Sequence, residues 1–178
     1  MALEGKQEEM DVQAVMEIYR KLGTPGEPHK VLAAMEGNWN TANRFWTEPG
    51  KPPMENAGTC EQKMILGGRF LQQEFRGEMM GTPFTGIGVL GYDNYTRTYV
   101  STWMDSMSTA ILFFEGIADE DGKTITQFCH HDDPIKGPMK WRSVTRIVDE
   151  NRHEFEMYST DKTGKQEKMM EIVYTRRS

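Results

Sequence analysis

Residue types that bind metals gather in the stretch FCHHDDP, Phe128 to Pro134. The stretch ends a predicted strand, along which neighbouring side chains point to opposite faces, so His130 and His131 cannot bind one ion. Cys129, His131 and Asp133 share a face and could approach a soft or borderline metal. Three ligands at alternate positions of one strand rarely converge, however, so we predict no metal site and find no evident cofactor.

Residues for catalysis by other routes are sparse. His153 could ligate haem or act as an acid or base, but a lone histidine in a strand is more often packed or hydrogen-bonded. The sequence lacks the nucleophile elbow G-x-S-x-G, and the serines of STWMDSMST have no His and Asp partners at a diagnostic spacing. A hydrolase triad is therefore not supported.

The stretch GIGVLG, Gly86 to Gly91, matches the glycine pattern of dinucleotide-binding sites. In those sites the glycines lead into a helix whose N-terminus holds the pyrophosphate, whereas here they lead into YDN, a turn. We therefore reject a dinucleotide site. Glycines inside a strand permit sharp bends and close approach of neighbouring groups, and this is the interpretation we adopt.

Composition limits the class of protein. A chain of 178 residues is the size of one domain and can bury a sizeable core. A net charge of −6 without a basic patch argues against nucleic-acid binding. No apolar run reaches the roughly 20 residues of a membrane span, so we predict no membrane contact. The N-terminus lacks a secretory signal, and two distant cysteines, Cys60 and Cys129, suit a reducing compartment, so we expect a cytoplasmic location.

The pattern of the chain changes once, near Gly37. Before it, apolar residues at helical spacing predict an amphipathic helix over residues 10–22, capped by Asp11, and HKVLAAME predicts a second, shorter helix. From Asn38 onward the period is two and turn residues recur at short intervals. This pattern predicts strands over 38–47, 56–66, 69–79, 83–92, 97–107, 110–118, 123–131, 139–149, 152–160 and 166–176.

Sequential strands joined by tight turns form an antiparallel meander, and closing the meander removes its two exposed edges. We therefore predict an all-β fold, a closed antiparallel meander β-barrel of about ten strands preceded by one or two N-terminal helices. Residues 1–36 are a helical segment that packs on or caps the barrel of residues 37–178. The apolar stripe of residues 10–22 must be covered by the barrel or by a second subunit, which leaves a homo-oligomer as one alternative.

The stretch GNW, Gly37 to Trp39, begins the first strand, and YTRR, Tyr174 to Arg177, ends the last one. A flat indole can plug the narrow end of a barrel while a guanidinium stacks on its face, a contact worth about 0.5 to 2 kcal/mol. The two stretches resemble the closed end of the lipocalins and other calycins. The resemblance implies barrel closure by Gly37, Trp39 and either Arg176 or Arg177, because alternation lets only one arginine face inward.

Longer stretches extend the resemblance from Met35 to the C-terminus. Five stretches resemble the successive signature blocks of the bacterial DUF1579 family, a domain of unknown function that is grouped with the calycins. They are MILGGRFLQQEF, GTPFTGIGVLGYDN, YVSTWMDSMST, RSVTRIVDENRHEFEMY and KMMEIVYTRR. This resemblance implies a lipocalin-like barrel. It brings no established substrate and no catalytic residues.

Charged and aromatic side chains alternate along several predicted strands. If the mixed faces point inward, they supply the candidate ligand-binding residues Trp103, Asp105, Met107, Arg142, Glu156, Tyr158 and Glu171. The alternative is that the charged residues form ordinary salt-bridge ladders on the outer surface. Methionine clusters could line an adaptable pocket or fill the core, the examples being Met79 with Met80, Met104 with Met107, and Met169 with Met170.

These features favour a binding protein that holds a small apolar or amphipathic molecule inside the barrel. A second hypothesis is an isomerase-like or hydrolase-like enzyme, with Glu156 or Asp105 as an inward carboxylate and Arg142 as its electrostatic partner. A third is a structural or assembly role, in which the N-terminal helix covers a partner subunit.

Overall fold

The computed structural model describes residues 11–48, 50–133 and 137–178. Two helices, α1 (Val12–Leu22) and α2 (Glu27–Ala33), come first. The strands are β1 (Gly37–Phe45), β2 (Met54–Ile65), β3 (Phe70–Met79), β4 (Thr82–Asp93), β5 (Thr98–Asp105), β6 (Leu112–Ala118), β7 (Thr124–Asp133), β8 (Gly137–Asp149), β9 (Arg152–Thr160) and β10 (Gln166–Arg176). Each predicted strand is present, with its ends within two residues of the expected ones. The first ten residues, on which the expectation about a secretory signal rests, and Pro134 lie outside the described residues.

The ten strands form a closed barrel in which each strand pairs with its sequence neighbours and β1 also pairs with β10. The pairing that closes the barrel is antiparallel and sets Trp39 opposite Arg176 and Phe45 opposite Met170. Closure leaves none of these ten strands with an unpaired edge, which is the physical reason that a meander of this length curls on itself. The predicted fold class, a closed antiparallel meander barrel preceded by helices, is confirmed.

The two helices lie at one end of the barrel and differ in how they use their apolar residues. Asp11 caps α1 by accepting a hydrogen bond from the backbone N–H of Gln13 at 2.9 Å, and Gly23 ends that helix. None of the residues of α1 is buried. By contrast, α2 carries the fully buried Leu32.

The interior contains two apolar clusters. The α2 cluster consists of Leu32, Met35, Leu71, Leu90, Tyr99 and Ile125. The plug cluster consists of Trp39, Cys60, Phe75, Ile172 and Tyr174, with Trp103, Phe155 and Met170 packed against it. The end of the barrel next to α2 is therefore closed by side chains.

Two glycines of GIGVLG make room for large side chains inside the barrel. A Cβ on Gly86 would lie 2.2 Å from Cζ2 of Trp103, and one on Gly88 would lie 2.6 Å from Nε2 of Gln73. The stretch lies within β4 and leads into a turn over residues 94–97. The interpretation of these glycines as sites of close approach is confirmed, and the helix that a dinucleotide site requires does not follow them.

Neither helix of the described residues has the length and apolar character needed to cross a membrane.

Candidate functional site

Trp39 closes the end of the barrel next to α2. Its side chain is 1% exposed, its indole N–H donates to the carbonyl of Met35 at 3.0 Å, and the guanidinium of Arg176 lies 4.2 Å from its ring centroid. The register decides between the two arginines, because Arg176 is paired with Trp39 and Arg177 is exposed. Gly37 has φ of +142°, and a Cβ there would lie 2.2 Å from Nη1 of Arg176, so a larger residue would displace the guanidinium.

Arg176 also ties this end to the segment that follows α2. Its guanidinium donates to the carbonyls of Glu150 at 2.6 Å, Glu36 at 2.7 Å and Ala34 at 3.2 Å. These polar contacts of the plug are all made with backbone of the same chain. Contacts within the chain therefore close this end of the barrel.

His153 is packed beneath the plug. Its ring stacks on Tyr174 at 4.1 Å between centroids and meets the ring of Trp39 edge-on at 4.3 Å. Burial, assisted by the positive charge of Arg176, lowers the pKa of His153 to about 3. A neutral His153 can accept a hydrogen bond from the Gln62 amide, whose nitrogen is 3.4 Å from Nε2. Because its ring packs against both Tyr174 and Trp39, His153 is a core residue and does not present a nitrogen to a cavity as a haem ligand would.

Trp103 and Asp105 lie on the inner face of β5, as the cavity hypothesis required. Trp103 packs against the plug cluster, and its indole N–H donates to Oδ2 of Asp105 at 2.9 Å. The other oxygen of Asp105 accepts from the backbone N–H of Met107 at 2.9 Å, while the Met107 side chain is 59% exposed beyond the strand end. Asp105 therefore orients Trp103 and caps the end of β5.

The remaining four candidates, Arg142, Glu156, Tyr158 and Glu171, lie on the outer face. Glu156 is paired with Val144 and Glu171, whereas its chain neighbour Phe155 packs against the plug cluster in the interior. Because successive side chains of a strand point to opposite faces, Glu156 and its cross-strand neighbours point outward. The expectation that these four line the interior is wrong, and the alternative of an outer salt-bridge ladder describes them.

The outer ladder is held by Lys168. Its ammonium donates to Glu156 and, at 3.0 Å, to Glu171. Burial raises the pKa of Glu156, but the hydrogen bonds from Lys168 and Tyr158 lower it more, so the net shift is downward. A general base needs a raised pKa. Arg142, the proposed electrostatic partner, stacks on Tyr158, with its guanidinium 4.2 Å from the ring centroid. The residues named for an enzyme thus lack the arrangement that the hypothesis demands.

A shallow groove of about 300 Å³ follows this ladder on the outer surface. It is lined by Ala42, Arg44, Arg152, Glu154, Glu156, Glu171 and Val173. Arg44 pairs with Glu171 at 3.2 Å and Arg152 pairs with Glu154 at 2.6 Å. Its charges already neutralise one another, so the groove offers little to a charged ligand.

A second pocket, of about 400 Å³, opens at the end of the barrel opposite Trp39, and we call it the mouth pocket. Its lining residues are Trp46, Thr47, Glu48, Gly50, Asp133, Met139, Trp141, Ser159, Lys165, Glu167, Lys168 and Met169. They come from the segment after β1, the end of β7, the start of β8, the end of β9 and the start of β10. Distant parts of the chain thus meet only because the barrel closes.

The apolar wall of the mouth pocket consists of two tryptophans and two methionines. The backbone N–H of Trp46 donates to the carbonyl of Met169 at 2.9 Å. A bulge between Lys168 and Met170 takes Met169 out of the regular alternation. Trp141 lies on the inner face of β8, opposite Cys129, with its ring 5.0 Å from that of His131. Met139 completes the wall and is 8% exposed.

The charged residues at the rim of the mouth pocket are already paired. Lys165 contacts Glu167 at 2.5 Å, and Glu48 contacts Lys51 at 2.7 Å. Burial lowers the pKa of Lys168, but its hydrogen bonds to Glu156 and Glu171 raise it more, so the net shift is upward and the side chain stays cationic. A ligand therefore meets an apolar wall inside and a neutralised rim outside.

The sequence hypotheses did not include most of the mouth pocket. Trp46, Trp141, Met139 and Ser159 were not among the candidate residues, whereas Met169 belonged to one of the methionine clusters suggested as a pocket lining. A signal was present in Trp46, a large apolar residue directly after the first strand. Its significance depends on the β10 bulge, which periodicity alone does not reveal.

The barrel interior also holds polar atoms that lack a protein partner. Within the described residues, these buried atoms are Oγ1 of Thr41, Oδ1 of Asn43, Oε1 of Gln62 and Nδ1 of His153. Leaving a buried polar atom unpaired costs about 1 to 3 kcal/mol. The interior therefore retains hydrogen-bonding capacity. In the described ranges, no group of three or more His, Cys, Asp or Glu side chains is arranged to hold a metal ion, and Cys129, His131 and Asp133 do not form one.

Comparison with known proteins gives a family and a fold. A family model described as "Protein of unknown function (DUF1579)" matches residues 24–176. The crystal structure of Rv2717c from M. tuberculosis is similar with a TM-score of 0.62 and 15% identity, covering 87% of this chain and 100% of that one. A DUF3598 protein of unknown function from Nostoc punctiforme gives a TM-score of 0.50 and 11% identity, covering 82% of this chain and 49% of that one. No curated protein matches the chain. At these identities the solved structures support the barrel fold alone.

Proposed function

The chain belongs to the DUF1579 family of proteins of unknown function, and we propose that it binds a small apolar or amphipathic molecule in the mouth pocket. The observation that carries the proposal is the apolar wall formed by Trp46, Trp141, Met139 and Met169 around a volume of about 400 Å³. Small-molecule sites are typically concave, mostly apolar and about 300 to 1,000 Å³ in volume. Methionines adapt their shape to a ligand, and tryptophans supply large contact area.

The rim favours a neutral polar end on this molecule. An anionic head group would compete with Glu156 and Glu171 for Lys168, and with Glu167 for Lys165. A cationic one would compete in the same way with the two lysines for these carboxylates. A neutral head group can remain in water at the mouth without breaking either ion pair, while its apolar tail lies against the tryptophans.

Binding of decyl glucoside, below its micellar concentration, tests the proposal. We expect one molecule per chain and a change in tryptophan fluorescence, because Trp46 and Trp141 line the pocket. Replacing Trp141 with alanine removes half of the aromatic wall and should weaken binding about tenfold or more, the scale of truncating a buried aromatic contact. Isothermal calorimetry and fluorescence titration measure both quantities.

The matched control is Tyr95→Ser, which removes an aromatic side chain that is 77% exposed in the turn after β4. Binding to the mouth pocket should survive this change, whereas adventitious adsorption to outer apolar surface should weaken. Equal affinity of the wild type and Trp141→Ala would contradict the proposal, provided that both proteins keep the same thermal midpoint.

We also propose that the family belongs with the calycins and that the protein is a bacterial, cytoplasmic one. The calycin assignment is supported by the stacking of Arg176 on Trp39 at the closed end of the barrel. The location is supported by two free, buried cysteines, Cys60 and Cys129, which suit a reducing compartment. Fluorescence microscopy of a tagged chain in its host tests the location directly.

A further inference from the structure

Helix α1 presents an uncovered apolar stripe. Val12 is 72% exposed, Met16 65% and Tyr19 70%, and no residue of the helix is buried. At 3.6 residues per turn these three side chains share one face with Val15 and Leu22. Asn94, in the turn after β4, donates to the carbonyls of Leu22 at 2.8 Å and Thr24 at 2.9 Å and so fixes the end of the helix. The helix is therefore held at the barrel without burying its apolar face there.

A second uncovered apolar surface lies on the outside of strands β4 to β7, and we call it the outer apolar patch. Its members are Ile87, Val100, Met104, Phe113, Ile117 and Phe128. The strand register makes these residues neighbours, since Ile87 is opposite Met104 and Phe113 is opposite Thr102, next to Met104 on β5. Phe113 is 68% exposed and Ile117 64%. Thr102, Glu115 and Thr126 lie among these side chains, so the patch is an apolar surface with three polar residues in it. Exposed apolar patches that are rimmed by polar residues mark interaction sites.

We propose that α1 of one copy of this chain packs on the outer apolar patch of a second copy, and that the second copy returns the same contact. Each copy carries both the helix and the patch. A single twofold axis can therefore place the α1 helix of each copy on the outer apolar patch of the other. The dimensions agree, because an eleven-residue helix is about 16 Å long. Four neighbouring strands span about 14 Å at a spacing of about 4.8 Å.

The area is sufficient for a stable dimer. At roughly 150 Å² per side chain, the lower end of the range for large side chains, the exposed fractions correspond to roughly 300 Å² on the helix and roughly 450 Å² on the patch. A symmetric pair contains both contacts twice, or roughly 1,500 Å², which is within the range of about 1,600 ± 400 Å² for a standard stable interface.

The register sets Glu115 within the patch, between Val100 and Phe128. At about 100° per residue, Arg20 lies beside the apolar stripe of α1, whereas Lys21 lies on the opposite face of the helix. A helix that docks with its stripe on the patch can therefore bring Arg20, which contacts Glu17 within α1, toward Glu115.

Two single variants test the contact, with sedimentation velocity as the measurement. We expect the wild type to be a dimer, and Met16→Glu and Phe113→Lys each to raise its dissociation constant at least about a hundredfold, because each buries a charge in an apolar contact. Gln13→Glu, on the polar face of α1, and Leu66→Lys, an exposed apolar residue between β2 and β3, are matched controls that should remain dimeric.

Mixing Met16→Glu with Phe113→Lys gives the decisive result. In a mixed pair, one contact sets the introduced glutamate of the first variant against the introduced lysine of the second, and the other contact is of wild-type sequence. The mixture should therefore form a heterodimer although neither variant dimerises alone. A monomeric wild type at high concentration, a Phe113→Lys variant that stays dimeric, or a mixture that stays monomeric would each overturn the proposal. Unchanged circular dichroism establishes that the variants are folded.

Discussion

Replacing Trp39 with alanine is expected to lower the free energy of unfolding by about 3 to 5 kcal/mol, the usual cost of removing a buried aromatic side chain. The indole is 1% exposed, and it contacts His153 on one side and the guanidinium of Arg176 on another. Its removal would leave a void at the closed end and deprive the Met35 carbonyl of its donor. Urea unfolding followed by circular dichroism measures the loss.

Two further variants make this result specific to the plug. Arg176→Lys keeps the charge but loses the planar guanidinium that both stacks on Trp39 and reaches three carbonyls, so we expect a smaller loss of about 1 to 3 kcal/mol. Trp46→Ala removes a partly exposed tryptophan at the open mouth and should cost less than the change at Trp39. An unfolding midpoint of Trp39→Ala equal to that of the wild type would refute the closure by Trp39.

Acidification from pH 7 to pH 5 is expected to destabilise the wild type by about 2 kcal/mol more than it destabilises His153→Phe. The pKa of His153 is about 3 in the folded protein, compared with about 6.5 for an unperturbed histidine. Between these values the unfolded chain binds a proton that the folded chain rejects, so stability falls as the pH falls, by about 1.4 kcal/mol per pH unit. The contribution is complete above about pH 6.5 and is lost progressively toward about pH 3.

Phenylalanine keeps the ring that stacks on Tyr174 and cannot take up a proton, while Gln62 retains its hydrogen bond to Gln73. Tyr174→Phe is the matched control, because it alters the same stack and leaves the titrating histidine in place. Urea unfolding at both pH values should show reduced acid sensitivity in His153→Phe alone. Burial also lowers the pKa of His29, so that variant keeps some acid sensitivity of the same sign. Equal pH dependence in the wild type and His153→Phe would contradict the assignment.

Much of the fold follows from local sequence signals. The shift from helical to alternating periodicity near Gly37, the recurring turns and the cap at Asp11 are short-range features, and they gave ten strands and the first helix within two residues of the observed ends. The Trp39 plug was predicted from the resemblance of GNW and YTRR to the closed end of the calycins, and Arg176 does stack on Trp39. The glycines of GIGVLG were correctly interpreted as sites of close approach.

The position of the candidate site required the tertiary structure. Alternation shows that Glu154, Glu156 and Tyr158 share a face and that His153, Phe155 and Met157 share the other, but it does not say which face is inside. That choice depends on which set packs with side chains from strands far away in sequence, and the second set includes the ring that meets Trp39. The same register selected Arg176 over Arg177. The mouth pocket depends on a bulge in β10 and on barrel closure, which bring Trp46 and Met169 together from opposite ends of the chain. A period of two specifies which residues lie together on a face, whereas only the packing of the closed barrel decides which face is buried.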